Sequence, residues 1–295
     1  MFFKKSELKY LLYYWPEIQG RGEFIRLALE DAGAEYEDVW RHRAGSKHPE
    51  LKNPPFAPPY LVAGKRVIAQ TANILCFLGP RLRLAPRDEA GRLWVHQLQL
   101  TIADWLTEVH DTHHPIGSGL YYEEQKPAAR RRSADFLAVR LPKYLDYFEG
   151  VLRCQAAGYL LGHAASYADL SLFQMVTGLR YAFPQAFGRL ERRYRRVIEV
   201  HDRVSRRPRL AVYLASKRRI PFNREGIFRH YPELDQSGKN QKKHRPVTAF
   251  DGIKMSARRS DGLDQGPNPN VEQTGGEAAA RQCGAAPGTR GSGVM

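Results

Sequence analysis

Tyr10-Leu11-Leu12-Tyr13-Tyr14-Trp15-Pro16-Glu17-Ile18-Gln19-Gly20-Arg21-Gly22-Glu23 is the stretch on which the reading of the fold turns. Residues 10–15 form a short apolar and aromatic run suited to a β-strand. Residues 23–32 then carry Phe24, Leu27 and Ala28 at helical spacing, and Gly33 closes the helix. Strand followed by helix is the simplest reading.

Working outward, a proline-rich loop over 53–59 leads to Tyr60-Leu61-Val62, a turn at Ala63-Gly64-Lys65, and Val67-Ile68, which is a hairpin pattern. Thr71 is placed to cap a helix through Ile74, Phe77 and Leu78, with Gly79-Pro80 as its end. The first 82 residues therefore read as an α/β unit. Beyond a polar connector the period becomes that of amphipathic helices. Trp94, Leu98, Ile102, Trp105 and Val109 make one such face, and Leu137, Leu141, Leu145, Phe148 and Leu152 another. Ser166-Tyr167-Ala168-Asp169 has the form of a capping box at the head of a third helix. Residues 90–222 are expected to be all helical.

From 236 to 295 the composition changes. Ten of the 25 glycines fall there but only Phe250 of the 32 aromatic residues, so this tail cannot build a core and is expected to be disordered. The chain of 295 residues has 46 basic against 31 acidic residues, a net +15. The tail holds nine Lys and Arg against five Asp and Glu, which leaves +11 in the body and invites an anionic partner. No apolar run is long enough to span a membrane, and no leader-like apolar segment opens the chain. Cys76, Cys154 and Cys283 are widely spaced, which speaks against a disulfide framework and for a cytoplasmic protein with free thiols.

Four motifs, in this order and spacing, resemble the N-terminal half of a cytosolic glutathione S-transferase. They are the strand ending Tyr13-Tyr14-Trp15, the helix entry Gly20-Arg21-Gly22-Glu23, Ala57-Pro58-Pro59-Tyr60-Leu61, and Gln70-Thr71 opening a helix. Gly158-Tyr159-Leu160-Leu161-Gly162 followed by Ser166-Tyr167-Ala168-Asp169 is similar to the family's capped buried helix. A tyrosine at the end of the first strand fits the tyrosine-type classes (alpha, mu, pi, sigma).

The resemblance implies a thioredoxin-like glutathione-binding domain over 1–82, a helical domain over 90–222 completing a pocket for a small hydrophobic electrophile, and a homodimer. It implies no cofactor beyond glutathione as co-substrate. Tyr14 matches the catalytic tyrosine, and a phenol is chemically apt: protonated at neutral pH, it can donate a hydrogen bond to a thiolate. Tyr10 and Tyr13 have core roles open to them.

Arg21 matches a helix-entry arginine near the thiolate. It stands seven residues from Tyr14 where those classes commonly have six, so Pro16-Glu17-Ile18-Gln19 carries an extra residue, and pairing of Arg21 with Glu23 or Asp31 is the alternative. Pro59, preceded by Pro58, matches the family's cis-proline beside the cysteinyl group of glutathione. Gln70 and Thr71 match the pair that holds the γ-glutamyl group, where a hydroxyl and a helix start suit a carboxylate. Asp104 and Glu108 share a helix face, and the resemblance places an acid here, Glu108 by preference, near the partner subunit's glutathione.

Two other patterns compete. His110-Asp111-Thr112-His113-His114 has the spacing of a helical zinc motif, but Pro115 breaks the helix and no third-ligand motif follows, so no metal is expected. Nine arginines between 189 and 209 could contact nucleic-acid phosphates. Interleaved Leu190, Tyr194, Val197, Ile198 and Val204 favour a half-buried helix with a solvated basic face, so nucleic acid is not the expected partner. The function expected is glutathione conjugation in detoxification. A non-catalytic glutathione-fold binding or regulatory protein, or a glutathione-dependent isomerase or peroxidase, is the alternative. Tyr121, Tyr122, Phe183 and Phe228 are candidates for the electrophile pocket.

Overall fold

The computed structural model describes residues 10–43, 52–155 and 157–236. The chain begins with β1 (Tyr10–Tyr13), α1 (Gly22–Ala32), β2 (Tyr36–Asp38) and the short α2 (Val39–His42). Next come the hairpin β3 (Tyr60–Ala63) and β4 (Arg66–Ala69), and α3 (Thr71–Leu82). The four strands form one sheet in the order β2-β1-β3-β4, parallel between β1 and β2 and antiparallel elsewhere. The strand-helix and hairpin readings thus hold. β2 was not legible, because Tyr36-Glu37-Asp38 has no apolar alternation. It forms because its backbone pairs with β1, while Arg26 pairs with Asp38 Oδ2 and Arg43 with Glu37.

The helical half comprises α4 (Glu89–Asp111), α5 (Tyr122–Asp135), a π-helical turn (Phe136–Arg140) and α6 (Leu141–Arg153), then α7 (Tyr167–Ala182), α8 (Pro184–Glu191), α9 (Arg195–Ser205) and α10 (Pro208–Leu214). The apolar faces read from the sequence meet in one core. Leu98, Ile102, Trp105 and Val109 of α4 are buried with Leu137, Leu141, Leu145, Phe148 and Leu152, and Trp105 stacks on Tyr144 and Phe148. The capping box forms as expected. The Ser166 amide donates to Asp169 Oδ2 at 2.8 Å and the Leu160 amide to Asp169 Oδ1 at 2.7 Å, so a fully buried carboxylate is satisfied by backbone N–H groups.

Two local readings are corrected. Gly79-Pro80 does not end α3, which continues to Leu82 and stops at Arg83 in the left-handed conformation, φ 59°. Gly79 serves close approach instead, since a Cβ there would lie 2.7 Å from the Tyr167 ring of α7. The basic region around 189–209 spans the end of α8, all of α9 and the start of α10 rather than one helix, with Tyr194 preceding α9. Several of its arginines are tied down, Arg193 to Asp146, Arg196 to Glu149 and Arg207 to Asp31. Tail residues beyond 236, Cys283 among them, lie outside the described residues, as does the disorder expected there. No described helix is long and apolar enough to cross a membrane.

Candidate functional site

Sheet register gathers residues that are far apart in sequence. Tyr13 pairs with Tyr60 across β1 and β3, and Tyr60 with Ala69 across β3 and β4. One step beyond these pairs, Tyr14, Pro59 and Gln70 stand in a row across the end of the sheet. The Pro58–Pro59 peptide is cis. Gln70 precedes α3 with φ 69°, a left-handed conformation that a non-glycine residue adopts only where its surroundings hold it.

Thr71 is the first residue of α3 and does not cap it. Its hydroxyl donates to the Arg21 carbonyl at 3.4 Å, joining the start of α3 to the loop that covers Tyr14. The N-cap position belongs to Gln70, so Thr71 is already inside the helix.

Tyr13 and Tyr14 have opposite environments, as alternation along a strand requires. Tyr13 stacks on Tyr60 at 4.5 Å between centroids and meets Trp40 edge-on. Tyr14 turns under the Gly20-Arg21-Gly22 loop and is 4% exposed. A Cβ on Gly20 would sit 2.1 Å from the Tyr14 hydroxyl, and one on Gly22 2.6 Å from its ring. The two glycines are therefore required by the close approach of this loop to the phenol. The Arg21 amide donates to the Tyr14 hydroxyl oxygen at 2.9 Å, and the Arg26 guanidinium lies 5.8 Å from the ring centre. Burial pushes the Tyr14 hydroxyl above its ordinary pKa of 10.0, partly offset by the Arg21 amide and the charges of Arg21 and Arg26. The phenol stays protonated at neutral pH. With its oxygen accepting from Arg21, its own proton remains available to an acceptor outside.

The carboxylates considered for Arg21 are held by other cations. Glu23 accepts from Arg219 and Arg26, and Asp31 from Arg207. The end of α4 approaches Arg21 closely enough for its charge to act on His110 and Asp111.

Asp104 and Glu108 differ sharply. Asp104 is exposed on α4. Glu108 accepts from Arg140 through Nε at 2.8 Å, from Arg132 at 3.3 Å and from the Tyr144 hydroxyl at 2.7 Å. Both Glu108 oxygens are thus engaged within the chain.

Among the described residues no group of three His, Cys, Asp or Glu side chains is arranged to hold a metal ion. His110, His113 and His114 pack against one another instead, with ring centres 4.7–5.1 Å apart. His113 Nε2 donates to the Ile227 carbonyl at 2.8 Å, which leaves Nδ1 of the neutral ring to accept from His114. Burial lowers His113 to about 2 and His110 to about 4, so both rings are neutral near pH 7.

Of the pocket candidates, Tyr122, Phe183 and Phe228 are core side chains at 1–3% exposure, whereas Tyr121 is exposed. Phe228 packs flat on Gly178, where a Cβ would approach within 2.4 Å of the ring. Sequence reasoning missed Gln19, a polar side chain in an uncapped loop. Its one signal was its place in the lengthened segment between Tyr14 and Arg21.

Residues 110–217 match the family model described as Glutathione S-transferase, C-terminal domain. A glutathione S-transferase of Plasmodium falciparum is 22% identical over 222 residues, covering 70% of this chain and 96% of the relative. Glutathione S-transferase P 10 of Caenorhabditis elegans is 28% identical over 166 residues, 55% of this chain and 72% of the relative. Among solved structures, a glutathione S-transferase of Caenorhabditis elegans superposes with TM-score 0.56 at 24% identity, covering 71% of this chain and 98% of that one. Prostaglandin synthase D of Nilaparvata lugens gives 0.55 at 19% identity, covering 72% and 100%.

Proposed function

We infer, from the chain's membership of the cytosolic glutathione S-transferase family, that it is a glutathione transferase in which Tyr14 activates the thiol. One observation carries the reading: the Tyr14 oxygen accepts from the Arg21 amide, so the phenol is oriented and polarised as a donor at the end of the sheet where Pro59 and Gln70 also stand. A thiol with pKa of about 8.5 is only a few per cent ionised at neutral pH. A donor preorganised toward sulfur favours the thiolate, which then attacks a hydrophobic electrophile. The cis peptide before Pro59 offers the Pro58 carbonyl to the cysteinyl amide. Gln70 and the backbone N–H groups of Thr71 and the rest of the first turn of the twelve-residue α3 offer donors to the γ-glutamyl carboxylate. Arg21 adds positive charge at the same place.

A homodimer fits the surface of α4. Leu93 and Leu100 are exposed and seven residues apart, and Asp104 follows one turn on, so an apolar stripe runs into an exposed acid. A second copy covering this stripe would bring Asp104, rather than the engaged Glu108, toward the other subunit's glutathione.

The alternative, a glutathione-fold protein without catalysis, is favoured by the 4% exposure of Tyr14. The variant Tyr14→Phe decides between them. With glutathione and a chloronitrobenzene, turnover should fall by about one to three orders of magnitude with glutathione affinity nearly unchanged, and the kinetic pKa of the bound thiol should rise. An unmoved thiol pKa would show that Tyr14 is not the activating group.

A further inference from the structure

We propose that Gln19 is a positioning residue that fixes the Arg21 amide on the Tyr14 hydroxyl by tying the intervening loop to the helical half; the catalytic part of this proposal rests on the reading of Tyr14 given above. Besides a hydrogen bond from Asn223 to the Glu17 carbonyl at 2.8 Å and the contact of Trp15 with Trp40, the loop is ordered through Gln19. Trp15, Pro16 and Glu17 are exposed, whereas Gln19 is 4% exposed and every polar group it presents toward the core is used. Its side-chain nitrogen donates to the Ile220 carbonyl, and its side-chain oxygen accepts from Gln174 Nε2 of α7 at 2.7 Å. Its backbone carbonyl accepts from the Glu23 amide at 2.9 Å and from Arg26 at 3.3 Å. Two residues later the Arg21 amide meets Tyr14.

The anchors are themselves fixed. Arg219 donates through one nitrogen to Gln174 Oε1 at 3.1 Å and through the other to Glu23 Oε1 at 2.9 Å, and the Tyr213 hydroxyl donates to the same Glu23 oxygen at 2.9 Å. Arg26, fully buried, is held by Asp38 at 2.6 Å. Partners from α7 and from the segment after α10 therefore meet at the Gln19 side-chain amide, and partners from α1 meet at its backbone carbonyl. A carboxamide suits this place because it both donates and accepts without burying a charge. The residue sits where the loop is one longer than the tyrosine-type pattern, so the tether restrains the freedom that the added residue would give.

The variant Gln19→Met removes both side-chain bonds with little change of volume. In the ligand-free protein, hydrogen exchange at the Arg21 amide, followed by NMR, should accelerate at least about tenfold. In catalysis with glutathione and a chloronitrobenzene, the pH profile of kcat/KM should place the thiol pKa about half to one unit higher, while the glutathione dissociation constant stays within about twofold. Placed in a Tyr14→Phe background, Gln19→Met should add no further rise, because it acts through Tyr14.

Unchanged exchange at Arg21 overturns the proposal. So does a thiol pKa that stays put in Gln19→Met while moving in Tyr14→Phe, or a rise that adds to that of Tyr14→Phe. If Tyr14→Phe itself leaves the thiol unmoved, the reading of Tyr14 fails, and accelerated exchange in Gln19→Met still supports the tether. Should Gln19→Met fail to fold, Gln174→Glu carries the same test, since it keeps the acceptor for Arg219 and removes the donor to Gln19.

Discussion

Glu23 and Glu108 are ringed by the same chemistry in two regions of the molecule. Each accepts from two arginines and a tyrosine hydroxyl: Glu23 from Arg26, Arg219 and Tyr213, Glu108 from Arg140, Arg132 and Tyr144. The Glu23 group lies where α1 meets α10 and the chain after it, and the side chains of Glu23 and Arg26 are 0% exposed. The Glu108 group joins α4, α5 and α6, with its arginines 28–32% exposed. The contrast teaches that composition does not set the worth of an ion cluster. A dry pair holds its geometry because losing a partner strands a charge, whereas a half-wet pair can return to water.

The largest expected effect comes from breaking the dry cluster. Glu23→Ala should lower unfolding free energy by about 3–5 kcal/mol, the range for removing one partner of a buried ion pair, because Arg26 and Arg219 lose their shared acceptor. Urea denaturation measures it, and a loss below about 1 kcal/mol would erase the contrast.

Glu108→Ala should cost about 1–2 kcal/mol in the same assay, since Arg140 and Arg132 can rehydrate while the Tyr144 hydroxyl loses its acceptor. An equal loss for the two variants would mean that exposure is irrelevant here.

The smallest effect is in acid. Burial alone would raise the Glu108 carboxyl, but hydrogen bonds from Arg140 and Tyr144 and the charges of Arg140 and Arg132 outweigh it and hold the group below its ordinary 4.5. A carboxyl lowered by folding stabilises the protein fully above its unfolded value and loses that contribution as pH falls through the folded value. Below about pH 4.5 the wild type should therefore lose its advantage over Glu108→Gln, by less than about 1 kcal/mol, in urea midpoints taken across pH. Comparing the two proteins cancels the acid sensitivity of the neutral His113, which both share. A gap that widens on acidification would reverse the sign argued here.

Local pattern alone determined much of this protein. Alternation and helical period located β1, α1, the β3–β4 hairpin, α4 and α6, because burial of one face follows from residue spacing. The capping box at Ser166 and Asp169 was equally legible, since its partners are three residues apart. Tyr14, Pro59 and Gln70 were singled out one by one through the resemblance to glutathione S-transferases, but only sheet register put them in a row.

Tertiary structure alone decided what spacing cannot encode. It gave the Thr71 hydroxyl to Arg21, closed Glu108 within its own chain, sent Tyr122, Phe183 and Phe228 into the core and made a strand of Tyr36-Glu37-Asp38. Gln19 is the extreme case, for its side-chain partners, Gln174 and Ile220, lie 155 and 201 residues away. A polar side chain is directed by whichever donor or acceptor the folded chain brings within about 3 Å, and such a meeting leaves no period in the sequence.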